Sequence, residues 1–400
     1  MTITLDSPAI TRRTAGPFTV GLVALVAMMT GASAPSPFYP VLQQELGFSS
    51  ATLTGIFAVY ALALLATLLV AGSLSDHAGR RPVVSSGFVM LALSMVVFWH
   101  ADSVSMLFTA RIAQGIASGL LMSALSAFVV DLEPSEKPGA AATFNSVSPM
   151  AGLALGALFG GIVLDHAGAP LVVVFGALTA VYVLLAVAVW LLPETSPRRE
   201  GLAQSFKPRA GVPVPARAAF LRSTPALIAG WATGGLYLSL GAPIVAQELG
   251  GTNHLEQGLV VTMLTGFGGV ACFLARAASP RRITIYGTTA LTLGTALTLA
   301  ALDAGSLWAF LVAAAFAGTG FGTGFLGIMR SITPLVGAHE RGELFASVFV
   351  VSYIAFAIPA VIAGIAAPHI GLATTTYLYG GAVVVLSGAA ALLRTFASPD

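Results

Sequence analysis

Charge is scarce in this chain. Of 400 residues only 8% are Asp, Glu, Lys or Arg, about a third of the share usual in soluble domains. So few charges cannot clothe a surface that faces water, which excludes an ordinary soluble domain. Cysteine is nearly absent. The single Cys272 rules out an internal disulfide, and its apolar surroundings give it the plain reading of a small hydrophobe. Also missing are a phosphate-cradling glycine loop, a metal-ligand cluster and a nucleophile paired with a base. Neither an ATP-driven pump nor a membrane enzyme is therefore expected, and no cofactor or metal. No Asp or Glu falls in the middle of any long apolar run.

What is abundant is apolar surface: 56% of the residues are hydrophobic and the mean hydropathy is +0.91. An apolar run of 18 or more residues reads as a membrane-spanning helix, because a helix satisfies its own backbone polar groups where there is no water. Twelve such runs are found, at 17–42, 51–75, 82–101, 104–130, 140–164, 169–192, 224–247, 257–275, 283–302, 306–329, 344–367 and 372–393. They are continuous rather than alternating, which favours helices over a barrel. The expected fold class is an all-α membrane protein with 12 transmembrane helices. Arg12 and Arg13 before the first run imitate a signal peptide, but the run is too long and lacks a cleavage site, so a retained helix is expected.

With the N-terminus inside, twelve crossings bring the C-terminus back to the same side. All 18 Lys and Arg residues except Arg111 then lie on that side, while the outer connections hold acids and histidines such as Glu45, Asp102, Asp165 and His254. The positive-inside rule makes that face cytoplasmic, with the chain in the plasma (inner) membrane. The basic residues need no nucleic acid to explain them. The expected partners are a small-molecule substrate and the lipid bilayer, and the expected state is a monomer.

The proline- and arginine-rich stretch at 193–222 reads as a cytoplasmic linker between an N-terminal six-helix bundle (1–192) and a C-terminal one (223–400). The halves share traces of a repeat. "QELG" at 44–47 returns at 247–250, and at the same offset Gly55 meets Gly258, Ser103 meets Ser306, Gly115 meets Gly318 and Gly119 meets Gly322. Parallel six-helix repeats around a midplane cavity are a plan of secondary transporters.

The turn "GSLSDHAGRRP" at 72–82 spends three charges just past the second run. Gly72 permits close helix approach, Gly79 a tight turn, and Arg80 and Arg81 an interfacial anchor. Its pattern, with Gly72, Leu74, Asp76, Gly79, Arg80 and Arg81 in place, resembles the loop 2–3 signature of the major facilitator superfamily. The resemblance implies two pseudo-symmetric bundles and a charge latch, in which Asp76 and Arg80 join Asp131 or Glu133 and the start of helix eleven near Gly342. Such a latch would hold the halves together on the cytoplasmic side. The equivalent loop of the second half, around 276–283, keeps arginines and lacks the aspartate.

Arg111, the only Lys or Arg inside a predicted span, costs about 2.5–3.5 kcal/mol near the middle of a membrane helix. It demands a partner, a wet cavity or a route for its head to the interface. Arg111, Gln114 and Gly115 resemble the fourth-helix pattern of the family's proton-coupled exporters. The face Gly152, Gly156, Gly160 and Gly161 is similar to their helix-five signature, although Ala157 stands where they usually carry proline; a smooth packing face explains the same glycines. In helix one, Pro35, Pro37 and Pro40 should open the helix, and Ser33, Ser36 and Tyr39 recur on one face, pointing toward a cavity. Tyr60, Asn145, Trp231, Tyr237 and Tyr353 are further candidates on spans that line the cavity in this family. A cavity lined in this way favours neutral or amphipathic solutes, and Arg111 tolerates or attracts an anion. The expected function is export of small hydrophobic or amphipathic compounds by alternating access, driven by the proton gradient. The alternatives are uptake or equilibration of a metabolite by the same fold and, from a different class, a non-transporting sensor or scaffold.

Overall fold

In hydrocarbon an unpaired backbone N–H or C=O has no water to turn to, so each apolar run closes on itself as a helix. The computed structural model describes residues 15–198, 210–337 and 340–396, together with 200, 201, 203 and 206. Arg12, Arg13, Arg199, Lys207 and Arg209, used above for orientation, lie outside the described residues. Among the described residues there is no strand, and 12 helices are long and apolar enough to cross a membrane. They are α1 Gly16–Leu46, α2 Ser50–Ala71, α3 Arg80–Trp99, α4 Val104–Asp131, α5 Ala140–His166, α6 Pro170–Leu191, α7 Val214–Glu248, α8 His254–Ala277, α9 Pro280–Asp303, α10 Leu307–Leu335, α11 Arg341–Ile370 and α12 Leu372–Thr395.

One departure from the expected boundaries and one expected helix break have local causes. The segment expected to be linker up to residue 222 already forms the first turns of α7. Ala216, Phe220 and Leu227 are buried there in one cluster with Ile328, Ile332, Leu344 and Val348, and that burial holds the helix together beyond the apolar run. In α1 the chain passes through a turn and a short 3-10 segment at Ser36–Phe38 before resuming as a helix at Tyr39. Pro35 and Pro37 supply no N–H to the preceding turn, so the regular ladder cannot continue.

The repeat suggested by spacing is a repeat of contacts. Gly47 and Gly250, which close the two "QELG" copies, have φ of 66° and 65°, a left-handed conformation natural to glycine at a helix end. A Cβ on Gly115 or Gly119 of α4 would meet the carbonyls of Tyr60 or Leu64 of α2. A Cβ on Gly318 or Gly322 of α10 would meet those of Leu264 or Gly268 of α8. The same positions thus bring the fourth helix of each half against the second.

The glycine face of α5 divides its work. Gly152, Gly156 and Gly160 lie against the backbone carbonyls of Val26, Thr30 and Ala34 in α1, and Gly161 lies against His254 and Leu255 of α8. The halves touch along α5–α8 and α2–α11. Gly258 sits on the Ala157 carbonyl, and Gly364 on Thr54 and Ser50. The contacts of Gly161, Gly258 and Gly364 lie toward the far end. Toward the opposite end, which carries the 72–82 turn, α5 and α8 stay in contact through Gly269 on Met150 and Phe144 on Phe273, while α2 and α11 line opposite sides of a cavity.

Candidate functional site

Between the halves lies this cavity, of about 1230 Å³. Its wall runs from Met29, Ala32, Phe57, Tyr60 and Arg111 to a mouth at Asp76, His77, Glu200, Gly342 and Glu343. Fifteen helical residues separate Phe57 from Gly72, a depth of about 22 Å. The second half supplies an aromatic wall: Trp231 packs on Tyr353 and Phe325, with ring centroids 4.9 and 5.8 Å apart, and Tyr353 on Phe349 at 6.1 Å. The first half supplies Met122, Ser123, Ser126, Asn145 and Met150. Asn145 donates through Nδ2 to the Ser126 carbonyl at 3.2 Å, leaving its Oδ1 without a partner.

At the blind end Arg111 is fully buried. Its Nε donates to the Tyr39 hydroxyl at 2.7 Å, and its Nη1 to the Ala32 carbonyl at 3.1 Å and to Gln114 Oε1 at 2.6 Å. Gln114 Nε2 in turn donates to the Gly31 carbonyl at 2.7 Å. Pro35, four residues after Gly31, has no N–H to offer that carbonyl, so the amide of Gln114 takes the place of the missing donor. The rings of Phe57, Tyr60, Tyr39 and Phe98 stand 4.9, 5.3, 5.5 and 5.5 Å from the guanidinium carbon, within reach of cation–π attraction. Nη2 is buried and has no hydrogen-bond partner.

Arg111, Tyr60, Asn145, Trp231 and Tyr353 therefore share one cavity wall, with Tyr39 and Gln114 directly behind the arginine. The other candidates lie elsewhere. Ser33 donates to the Leu153 carbonyl at 2.7 Å and joins α1 to α5. Ser36 is buried without a partner for its hydroxyl. Tyr237 borders a separate small pocket with Thr295, Thr298 and Phe310. The bend at 34–38 turns the serine face into a helix contact, so period-three spacing does not carry it to the cavity.

At the mouth, Arg80 is held by Asp76, by Ser75 Oγ at 2.6 Å and by Asp131 Oδ2 at 3.3 Å. Of the two acids proposed to meet Arg80, only Asp131 does. Glu133 accepts the N–H of Ala141 at 3.4 Å and caps the start of α5. Gly72, at the foot of α2, is packed against the Leu68 carbonyl. Every hydrogen bond described for Asp76, Arg80 and Arg81 stays within the first half and the start of the linker, and nothing lies within 4 Å of a Cβ on Gly342. The turn is thus disengaged from α11 while the cavity is open beside it.

A model of the Major Facilitator Superfamily matches residues 21–283, more than half of the chain. The chain belongs to that superfamily. It is a multi-pass membrane protein. It is similar to the quinolone resistance protein NorA of Staphylococcus aureus (strain Mu50 / ATCC 700699), with 24% identity over 129 residues, 32% of this chain and 33% of the relative. It is similar also to multidrug resistance protein 1 of Bacillus subtilis (strain 168), with 25% identity over 190 residues, 47% of this chain and 48% of the relative. The chain thus matches between a third and about half the length of these curated relatives.

Two contacts of this major facilitator were not anticipated from its sequence. Glu194, just past α6, accepts the N–H groups of Arg80 and Arg81 at 2.9 and 3.2 Å. Thr195 donates to Asp131 at 2.8 Å and Ser196 to the Ser75 carbonyl at 2.8 Å, so the linker begins by docking on the 72–82 turn. At the far end, Asp165 of α5 accepts the N–H of His254 and of Leu255, and His254 Nδ1, at 2.8–2.9 Å. It caps the first turn of α8 across the boundary between halves. The only hint in the sequence is an acid standing directly after an apolar run.

Proposed function

We propose that this protein exports small hydrophobic or amphipathic compounds by alternating access, driven by proton antiport, from a plasma membrane in which both termini face the cytoplasm. The observation that carries the reading is a cavity between two six-helix halves, open at the basic end, packed shut at the other, and ending on a buried arginine. Relatives named as resistance proteins lend support to efflux. Basic residues at the ends of α3, α9 and α12 share the face of the mouth, which the positive-inside rule places in the cytoplasm. The 72–82 turn is assigned the role of a latch that meets α11 once the mouth closes, and the working unit is assigned as a monomer.

Proteoliposomes loaded with the pH dye pyranine test the reading. Substrate-dependent proton movement is expected, and Arg111→Ala should reduce it at least tenfold; undiminished flux in that variant removes the role given to Arg111. One observation favours a second reading. Among the described residues no carboxylate lines the middle of the cavity, so facilitated passage of a metabolite without protons is the competitor. Transport that ignores an imposed pH gradient would select it.

A further inference from the structure

We infer that the blind end of the cavity is a receiving site for organic anions, and that the transported compound is an aromatic amphipath carrying a carboxylate or sulfonate rather than a lipophilic cation. This rests on the transport reading above and narrows its substrate class. The Arg111 side chain carries a positive charge, and its hydrogen bonds go to a hydroxyl, a backbone carbonyl and an amide, none of them anionic. A buried charge is usually matched by an opposite one, because desolvating it alone is costly. Among the described residues no such partner is present. Ring faces and neutral dipoles hold the guanidinium, and Nη2 is left with unused donor capacity.

The charge lies just behind the space that a substrate enters, since Arg111, though fully buried, borders the cavity with Met29, Ala32, Phe57 and Tyr60. The acids of that wall, Asp76, Glu200 and Glu343, all sit at the mouth, and along α2 the mouth at Gly72 lies about 22 Å from the level of Phe57 by helical rise. At that distance they are beyond a Debye length and solvated, so they do not cancel the field at the blind end. Nη2 is covered in this structure, and direct contact with it needs the neighbouring rings to shift; attraction does not. The body of the solute has a matching surface in Trp231, Phe325, Phe349 and Tyr353. A cation in this cavity would gain ring faces but would meet a like charge with no carboxylate to offset it.

Three probes of one shape test the assignment: 2-naphthalenesulfonate, 2-naphthylmethanol and 2-naphthyltrimethylammonium, titrated by calorimetry into the full-length protein in detergent. The sulfonate is expected to bind at least tenfold more tightly than the ammonium. That preference should survive in Arg111→Lys and fall to less than threefold in Arg111→Gln. Equal or tighter binding of the ammonium by the wild-type protein overturns the proposal, whether or not the variants fold. A preference that persists in Arg111→Gln overturns it also, by placing the anion elsewhere. Binding of all three without preference removes the anion site while leaving the transport reading intact. Failure of all three to bind removes both.

Discussion

Replacing Glu194 with Gln removes a carboxylate that holds the backbone N–H groups of Arg80, Arg81 and Ser196. Burial raises its pKa, but those three donors and the charge of Arg198 outweigh burial and keep it below the ordinary carboxylate range. A carboxyl depressed in the folded state adds stability that is in force above its unfolded pKa and is lost as the pH falls through the folded one. Glu194→Gln should therefore lower the Tm at neutral pH, and its gap to wild type should close as the pH drops below about 4; thermal unfolding followed by tryptophan fluorescence checks this. Gly318 and Gly342 offer a steric contrast. A Cβ at Gly318 meets the Leu264 backbone, whereas at Gly342 it meets nothing within 4 Å. Gly318→Ala is expected to destabilise by about 1–3 kcal/mol through overpacking, and Gly342→Ala to be neutral or stabilising by up to about 1 kcal/mol. A Tm lost at both positions would contradict this reading of the packing.

Helices α5 and α8 form a seam between the halves, and one carboxylate ties their far ends. Asn at position 165 keeps the shape but loses the charge that accepts two backbone N–H groups and His254. A net loss of about 1 kcal/mol shifts the ratio of states roughly fivefold. Asp165→Asn should thus favour the conformer that opens at the far end. In a Cys272→Ser background, spin labels at Gly168 and Thr252 should move apart in that variant, while labels at His77 and Gly342 move closer. An unchanged distance distribution for both pairs would reduce Asp165 to an ordinary helix cap. The break in α1 belongs to the same scale: Pro35 and Pro37 open the helix, and the Gly31 carbonyl, left without its usual donor, is met by the amide that also orients Arg111.

For the molecule as a unit, the proposed alternating access requires the mouth to close. His77 and Gly342 both border the mouth, one from each half. Cysteines placed there and joined by a short reducible crosslinker should abolish substrate-driven proton movement in pyranine-loaded vesicles, and reduction should restore it; full flux in the bridged protein would mean that the halves do not rock. How much of this was legible beforehand follows from the range of each interaction. Twelve spans, the division into halves and the helix break at Pro35 are written in local patterns of hydropathy and backbone freedom, which act within a few residues. The isolation of Arg111 in an apolar run also marked it as unusual from sequence alone. Its actual partners did not show. That Arg80 chooses Asp131 over Glu133, that Ser33 faces Leu153 rather than the cavity, and that Asp165 reaches across to His254 are settled by how helices far apart in sequence pack together. Such contacts depend on the relative rotation and spacing of whole helices, which no single run of residues specifies.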